Sequence, residues 1–141
     1  MARFELVEQK EEWGCGVACV ASFLGVPYEE ARALLRKQKN GKTVRAEPKG
    51  LELHHIALAL QEQGYRVIAD WKEADEYPQG TIVCISGKKP YDGDHYILKT
   101  RKGWMDPWHN IGLKEPCKAD FRRDYPEGTE FLVALVPMAA G

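Results

Sequence analysis

Residues 14 to 25, Gly-Cys-Gly-Val-Ala-Cys-Val-Ala-Ser-Phe-Leu-Gly, restrict what this chain can fold into more than any other stretch. The run is apolar with helical spacing, and it reads as a helix from Gly14 to Leu24 that Gly25 closes at its C-terminal end. A cysteine between two glycines opens it. A thiol at Cys15 therefore projects from the first helical turn into the positive end of the helix dipole, a setting that favours thiolate.

Around this helix the chain divides into helices first and strands later, with no internal repeat. Val26-Pro27-Tyr28-Glu29-Glu30 starts a second helix, with proline allowed in the first turn and the glutamates complementing the dipole, and Ala31, Leu34 and Leu35 follow at core spacing. The stretch from Arg36 to Lys49, rich in Arg and Lys and containing Gly41 and Pro48, reads as a mobile surface connection, with a grip on an acidic partner as its sharper alternative. A third helix is predicted from Gly50 to near Gly64, placing one of His54 and His55 toward solvent and the other beside the core. Tyr65 to Ala69 then alternates like a strand. Three further apolar runs follow: Thr81–Ile85, the hairpin-like pair His95–Lys99 and Gly103–Asp106, and Glu130–Val136. Helices followed by an antiparallel meander predict an α+β domain.

With 141 residues, 44% hydrophobic and 29% charged, the chain is expected to be a single domain spanning residues 1–141. A net charge of −1 provides no global field for nucleic acid or an anionic membrane. The N-terminus lacks the apolar core of a secretion signal, and no apolar stretch approaches the roughly 18 residues that span a bilayer, so the expected location is the cytoplasm. Pro137 to Gly141 reads as a disordered tail. Composition does not address the oligomeric state.

The cysteines stand at 15, 19, 84 and 117. Cys15 and Cys19 lie one turn apart on one helix face, and Cys84 sits in an apolar strand-like run, so free thiols are expected rather than disulfides. No Cys-x-x-Cys or His-x-x-x-His pair appears, and neither a metal nor a cofactor is called for.

Catalysis by a thiol needs more than the thiol. His95 is the best candidate base, because it starts a strand after the turn-like Pro90-Tyr-Asp-Gly-Asp94, at the rim of a sheet facing a helix. Asp106 lies across the predicted hairpin, within reach of the imidazole's far nitrogen if the turn falls near Arg101-Lys102. Gln9, shortly before the nucleophile, offers an uncharged amide that can join the Cys15 backbone N–H in stabilising an oxyanion. Trp13 is the aromatic best placed to line a substrate cleft, whereas Trp104 reads as packing.

Gln9, Cys15-Gly16-Val17-Ala18-Cys19, His95-Tyr-Ile-Leu and Asp106-Pro107 together resemble the bacteriocin-processing peptidases, papain-like domains that remove double-glycine leaders, and their free-standing relatives. The likeness covers roughly residues 5 to 112. It implies a papain-like fold, with N-terminal helices packed on a C-terminal antiparallel β-sheet. It also implies Cys15 as nucleophile, His95 as base, Asp106 as orienter and Gln9 as oxyanion donor. The chain differs from that family in two places: Gly14 stands where aspartate is common, and the interval of 11 residues between His95 and Asp106 is short. The substrate is expected to be a peptide or protein. Gly14 and Gly16 leave bare backbone beside the thiol, which suits close approach of an extended peptide with small residues before the scissile bond. A thioester at Cys15 can be resolved by water, in a peptidase or deamidase, or by an amine, in an acyltransferase or transglutaminase, and a non-catalytic papain-like binding module is the remaining alternative.

Overall fold

Three helices precede six strands in the computed structural model, which describes residues 2–10, 14–38, 53–87, 93–111 and 115–138. The helices are α1 (Cys15–Leu24), α2 (Tyr28–Gln38) and α3 (Leu53–Glu62). The strands are β1 (Val67–Asp70), β2 (Ile82–Gly87), β3 (Gly93–Thr100), β4 (Gly103–Asp106), β5 (Asp120–Arg122) and β6 (Glu130–Pro137). All pair antiparallel in one sheet of order β1-β6-β2-β3-β4-β5. The architecture is α+β.

Helix α1 is the centre of the molecule. Every residue from Cys15 to Phe23 is buried, which is what a helix apolar on all sides requires. Gly25 ends it in the left-handed conformation, φ 72°, and donates its N–H to Ala21 O at 2.8 Å. Removing the fully buried Phe23 ring would cost about 3–5 kcal/mol, because the cavity would lie where helix and sheet meet. Helix α2 lays Tyr28, Ala31 and Leu35 against α1, and α3 adds Ile56, Ala59 and Leu60. Helix α2 also extends beyond the expected boundary: Arg36 and Lys37 form its last turn, where cations complement the dipole, rather than opening a loop. The rest of the expected basic connection, from residue 39, lies outside the described residues, as does the tail from residue 139, but Pro137 and Met138 are not the disordered residues expected: Pro137 ends β6 opposite Val67, and the Met138 N–H donates to Arg66 O at 2.8 Å.

Strand β2 is buried on both faces. Ile82 and Cys84 join the helix-side core, while Val83 and Ile85 join a second cluster with Ile97, Trp104 and Ala134, covered by Tyr77, Tyr125 and Phe131. That double burial accounts for the continuous apolar run at Thr81–Ile85. The strand order corrects the expected meander. β6 inserts between β1 and β2, because Val133, Ala134 and Leu135 are buried on both faces and can only belong to an interior strand. A register shift at Cys84/Ile85 leaves Leu132 out of the pairing and partly exposed.

Candidate active site

Cys15 is the first residue of α1. Gly14 before it makes no side-chain cap, so the leading N–H groups of the helix, that of Cys15 among them, are not engaged by a capping side chain. Thiol and backbone donors thus share one helix end.

Opposite stands the β3–β4 hairpin. A two-residue turn at Arg101-Lys102 joins the strands, with Thr100 opposite Gly103. Thr100 Oγ1 donates to Gly103 O at 2.7 Å and accepts the Lys102 N–H at 3.1 Å. Gly103 has φ 114°, a conformation open to glycine, and a Cβ there would stand 2.7 Å from the backbone oxygen of Arg122 on β5. This tight turn sets the register that carries Asp106 to the far end of β4. His95 is the third residue of β3 rather than its first, since the strand begins at Gly93.

His95 Nε2 lies 2.7 Å from Asp106 Oδ1, with both side chains buried. The imidazole also hydrogen-bonds the Cys15 side chain, and with Nε2 on the carboxylate, Nδ1 is the nitrogen left for the thiol. Burial by itself would push the His95 pKa down. The bonds to Asp106 and Cys15 outweigh it and lift the ring to about 10. For Asp106, burial pushes the pKa up, but the bond and charge of His95, the Trp108 N–H and the Arg122 cation together hold it below the usual carboxylate range. Trp108 N donates to Oδ1 at 3.0 Å and Arg122 Nη1 to Oδ2 at 2.8 Å.

Gln9 arrives by another route. Residues 2–10 lie along α1 from its C-terminal end toward its start. Arg3 donates from Nε to Phe23 O at 2.7 Å, with its guanidinium over the rings of Phe4, Phe23 and Tyr65 at 4.6, 5.1 and 4.8 Å. Phe4 N donates to Ser22 O, and Ser22 Oγ donates to Glu5 O, both at 2.6 Å. The segment ends with Gln9 buried and its N–H donating to Pro107 O at 3.3 Å, directly after Asp106.

The structure therefore brings Cys15, His95 and Asp106 together and ties the Gln9 backbone to the same end of β4. Gly14 and Gly16 flank the thiol and are buried; Trp13 lies outside the described residues. Trp104 packs in the second core cluster, as read from its strand position. His54 is exposed and His55 half-buried, the division expected of that pair. All four cysteines are free. Arg122 was not foreseen. It sits on a three-residue strand, 16 positions beyond the carboxylate it grips, and the alternation of buried Ala119 and half-buried Phe121 is its one weak sequence signal. Cys117 was also given no role. Its thiol donates to Pro107 O at 3.3 Å, and burial pushes its pKa up against the opposing bond from the Gln9 N–H.

A cavity of about 460 Å³ lies elsewhere, lined by residues 73–77, Lys99, Trp104 and residues 123–125; it contains none of the site residues. Among the described residues, no group of His, Cys, Asp and Glu side chains could hold a metal ion, and no helix is long and apolar enough to cross a membrane. No protein-family model matches the chain, and a search of curated proteins finds no match.

Proposed function

We propose that the protein is a cysteine-dependent hydrolase of papain-like type that cleaves a peptide bond through Cys15, His95 and Asp106. The observation that carries this reading is the position of one buried imidazole between a carboxylate at 2.7 Å and a thiol at a helix start. Structural histidines need one partner, whereas a base in nucleophilic catalysis needs the nucleophile on one nitrogen and an orienter on the other.

The chemistry follows from the arrangement. His95 already holds on Nδ1 the proton that Cys15 gives up, as its raised pKa requires, and Asp106 holds the ring by Nε2 and offsets the imidazolium charge. Sulfur attacks the carbonyl carbon, and the developing oxyanion finds the Cys15 backbone N–H and the Gln9 amide as donors. Collapse expels the amine, which takes the His95 proton and leaves a thioester. Water, deprotonated by His95, then releases the acid and the thiol. The likeness to double-glycine leader peptidases favours small residues, Gly-Gly or Gly-Ala, before the scissile bond.

Two measurements test this. Iodoacetamide should label Cys15 in preference to Cys84, and equal labelling would favour a binding module. A peptide library read by mass spectrometry should give cleavage after small residues. Cleavage without such bias would remove the leader-peptidase analogy, and a gain of about one dalton at glutamine without chain scission would point to deamidation through the same thioester.

A further inference from the structure

We propose that Arg122 is a positioning residue of this site: through Asp106 Oδ2 it holds the carboxylate in the rotamer and charge state that keep His95 directed at Cys15. The inference rests on the catalytic reading of Cys15, His95 and Asp106, and three observations carry it.

The Asp106 side chain is fully buried, and a carboxylate removed from water tends either to take up a proton or to turn toward other donors. His95 and the Trp108 N–H both use Oδ1. Arg122 Nη1 takes Oδ2 at 2.8 Å, so the two oxygens are pinned from opposite sides and rotation about Cβ–Cγ would break all three contacts.

The approach of Arg122 is built into the backbone. Its strand β5 pairs with β4 at Trp104, and its carbonyl occupies the space that a side chain at residue 103 would need. The glycine that permits the hairpin turn therefore also admits the strand bearing the guanidinium.

Finally, Arg122 Nε is buried with no partner among the described residues. The Nη1 bond to Asp106 is the side chain's one hydrogen bond among the described residues. The carboxylate dictates where the guanidinium sits. Burial keeps the protons on the Cys19 and Cys117 thiols, which lie within electrostatic reach of Asp106, and Asp120 stands opposite Asp106 on β5.

The test compares Arg122→Gln, Arg122→Lys, Asp106→Asn and the Asp106→Asn/Arg122→Gln double variant. Asp106 is followed by NMR titration of ¹³C-labelled aspartate, and Cys15 by its rate of alkylation. In Arg122→Gln, Asp106 should titrate at higher pH than in the wild type, and Cys15 should be alkylated about tenfold more slowly at neutral pH. Arg122→Lys should recover most of the titration shift but only part of the rate, because an ammonium restores charge without the planar fork. In the Asp106→Asn background, which no longer buries an anion, Arg122→Gln should change the rate by less than about twofold. A well-folded Arg122→Gln protein with unaltered Asp106 titration and Cys15 rate would overturn the proposal. If Arg122→Gln does not fold, an additional tenfold loss in the Asp106→Asn background would overturn it equally. A wild-type Cys15 no more reactive than Cys84 would instead sink the hydrolase reading, whereas a reactive wild type with an indifferent Arg122→Gln sinks only the role of Arg122.

Discussion

His95 and Tyr96 are neighbours on β3, and each holds a thiol: His95 bonds Cys15 at the start of α1, and Tyr96 bonds Cys84 on the paired strand β2. The thiols are almost equally hidden, Cys15 at 5% exposure and Cys84 at 4%. Their partners differ in one respect. An imidazole with a carboxylate behind it can accept a proton, whereas burial drives the Tyr96 hydroxyl further from ionising and makes it no base at all. Burial likewise pushes Cys84 up to about 12, and the Tyr96 bond opposes this only in part. What distinguishes the two thiols is therefore the group behind each, not access to it, and in the proposed reading that group is what makes Cys15 the nucleophile.

The strongest way to break this comparison is to remove each thiol in turn. Cys15→Ala should abolish thioester chemistry and peptide cleavage with the fold intact, and His95→Ala should be nearly as severe. Cys84→Ala should retain activity within about threefold. An inactive Cys84→Ala protein of normal stability, or an active Cys15→Ala, would reverse the assignment.

Asp106→Asn and Gln9→Ala should each reduce turnover by about 10- to 1,000-fold, the range for losing one orienter or one oxyanion donor. Steady-state rates that leave both at wild-type level would reduce the site to a Cys–His pair.

Titration of His95 sharpens the contrast without a substrate. Cys15→Ala removes one of the two bonds that lift the imidazole to about 10, so an NMR titration should find the pKa lower, and lower again when Asp106→Asn is added. The folded-state value stands above the ordinary histidine value of about 6.5, so the fold binds a proton that the unfolded chain releases. Its contribution to stability is full below about pH 6.5 and lost as pH rises through about 10. Asp106 acts with the opposite sign: its contribution is present above the ordinary carboxylate pKa and is lost as pH falls through the depressed value. Urea unfolding of wild type and Cys15→Ala across this range should show the alkaline loss diminished in the variant.

Gly103→Ala should cost about 1–3 kcal/mol by thermal unfolding, since it forces a side chain onto φ 114° and against the Arg122 carbonyl. The smallest effect belongs to Tyr96→Phe. Loss of the hydroxyl should leave Cys84 still less willing to ionise and alter Cys15 alkylation by less than about twofold, and a larger change would mean that the two thiols are not independent.

Local chemistry made much of this protein legible. The uncharged run from Gly14 to Leu24, long for a strand and with glycine after it, reads as a helix, and the observed end at Gly25 follows from glycine's freedom to take the left-handed conformation. The Arg101-Lys102 turn was readable for a similar reason, since two residues before a glycine close a hairpin and carry Asp106 back along His95. Other features had no local cause. The place of β6 between β1 and β2 comes from burial on both faces, which depends on what the sheet packs against. The end of α2 at Gln38 rather than near Leu35 comes from charges that serve a last turn as well as a loop. Asp120-Phe121-Arg122 is too short and polar to announce a strand, and it becomes one by pairing with β4. The sequence by itself determined which side chains the proposed site draws on: the thiol at a helix start, the histidine after a turn-like segment, and the aspartate across a hairpin turn. Tertiary structure alone decided that β3 sets the imidazole between them and that Arg122 reaches Asp106 from a distant strand, because such contacts join residues whose separation along the chain encodes no distance in space.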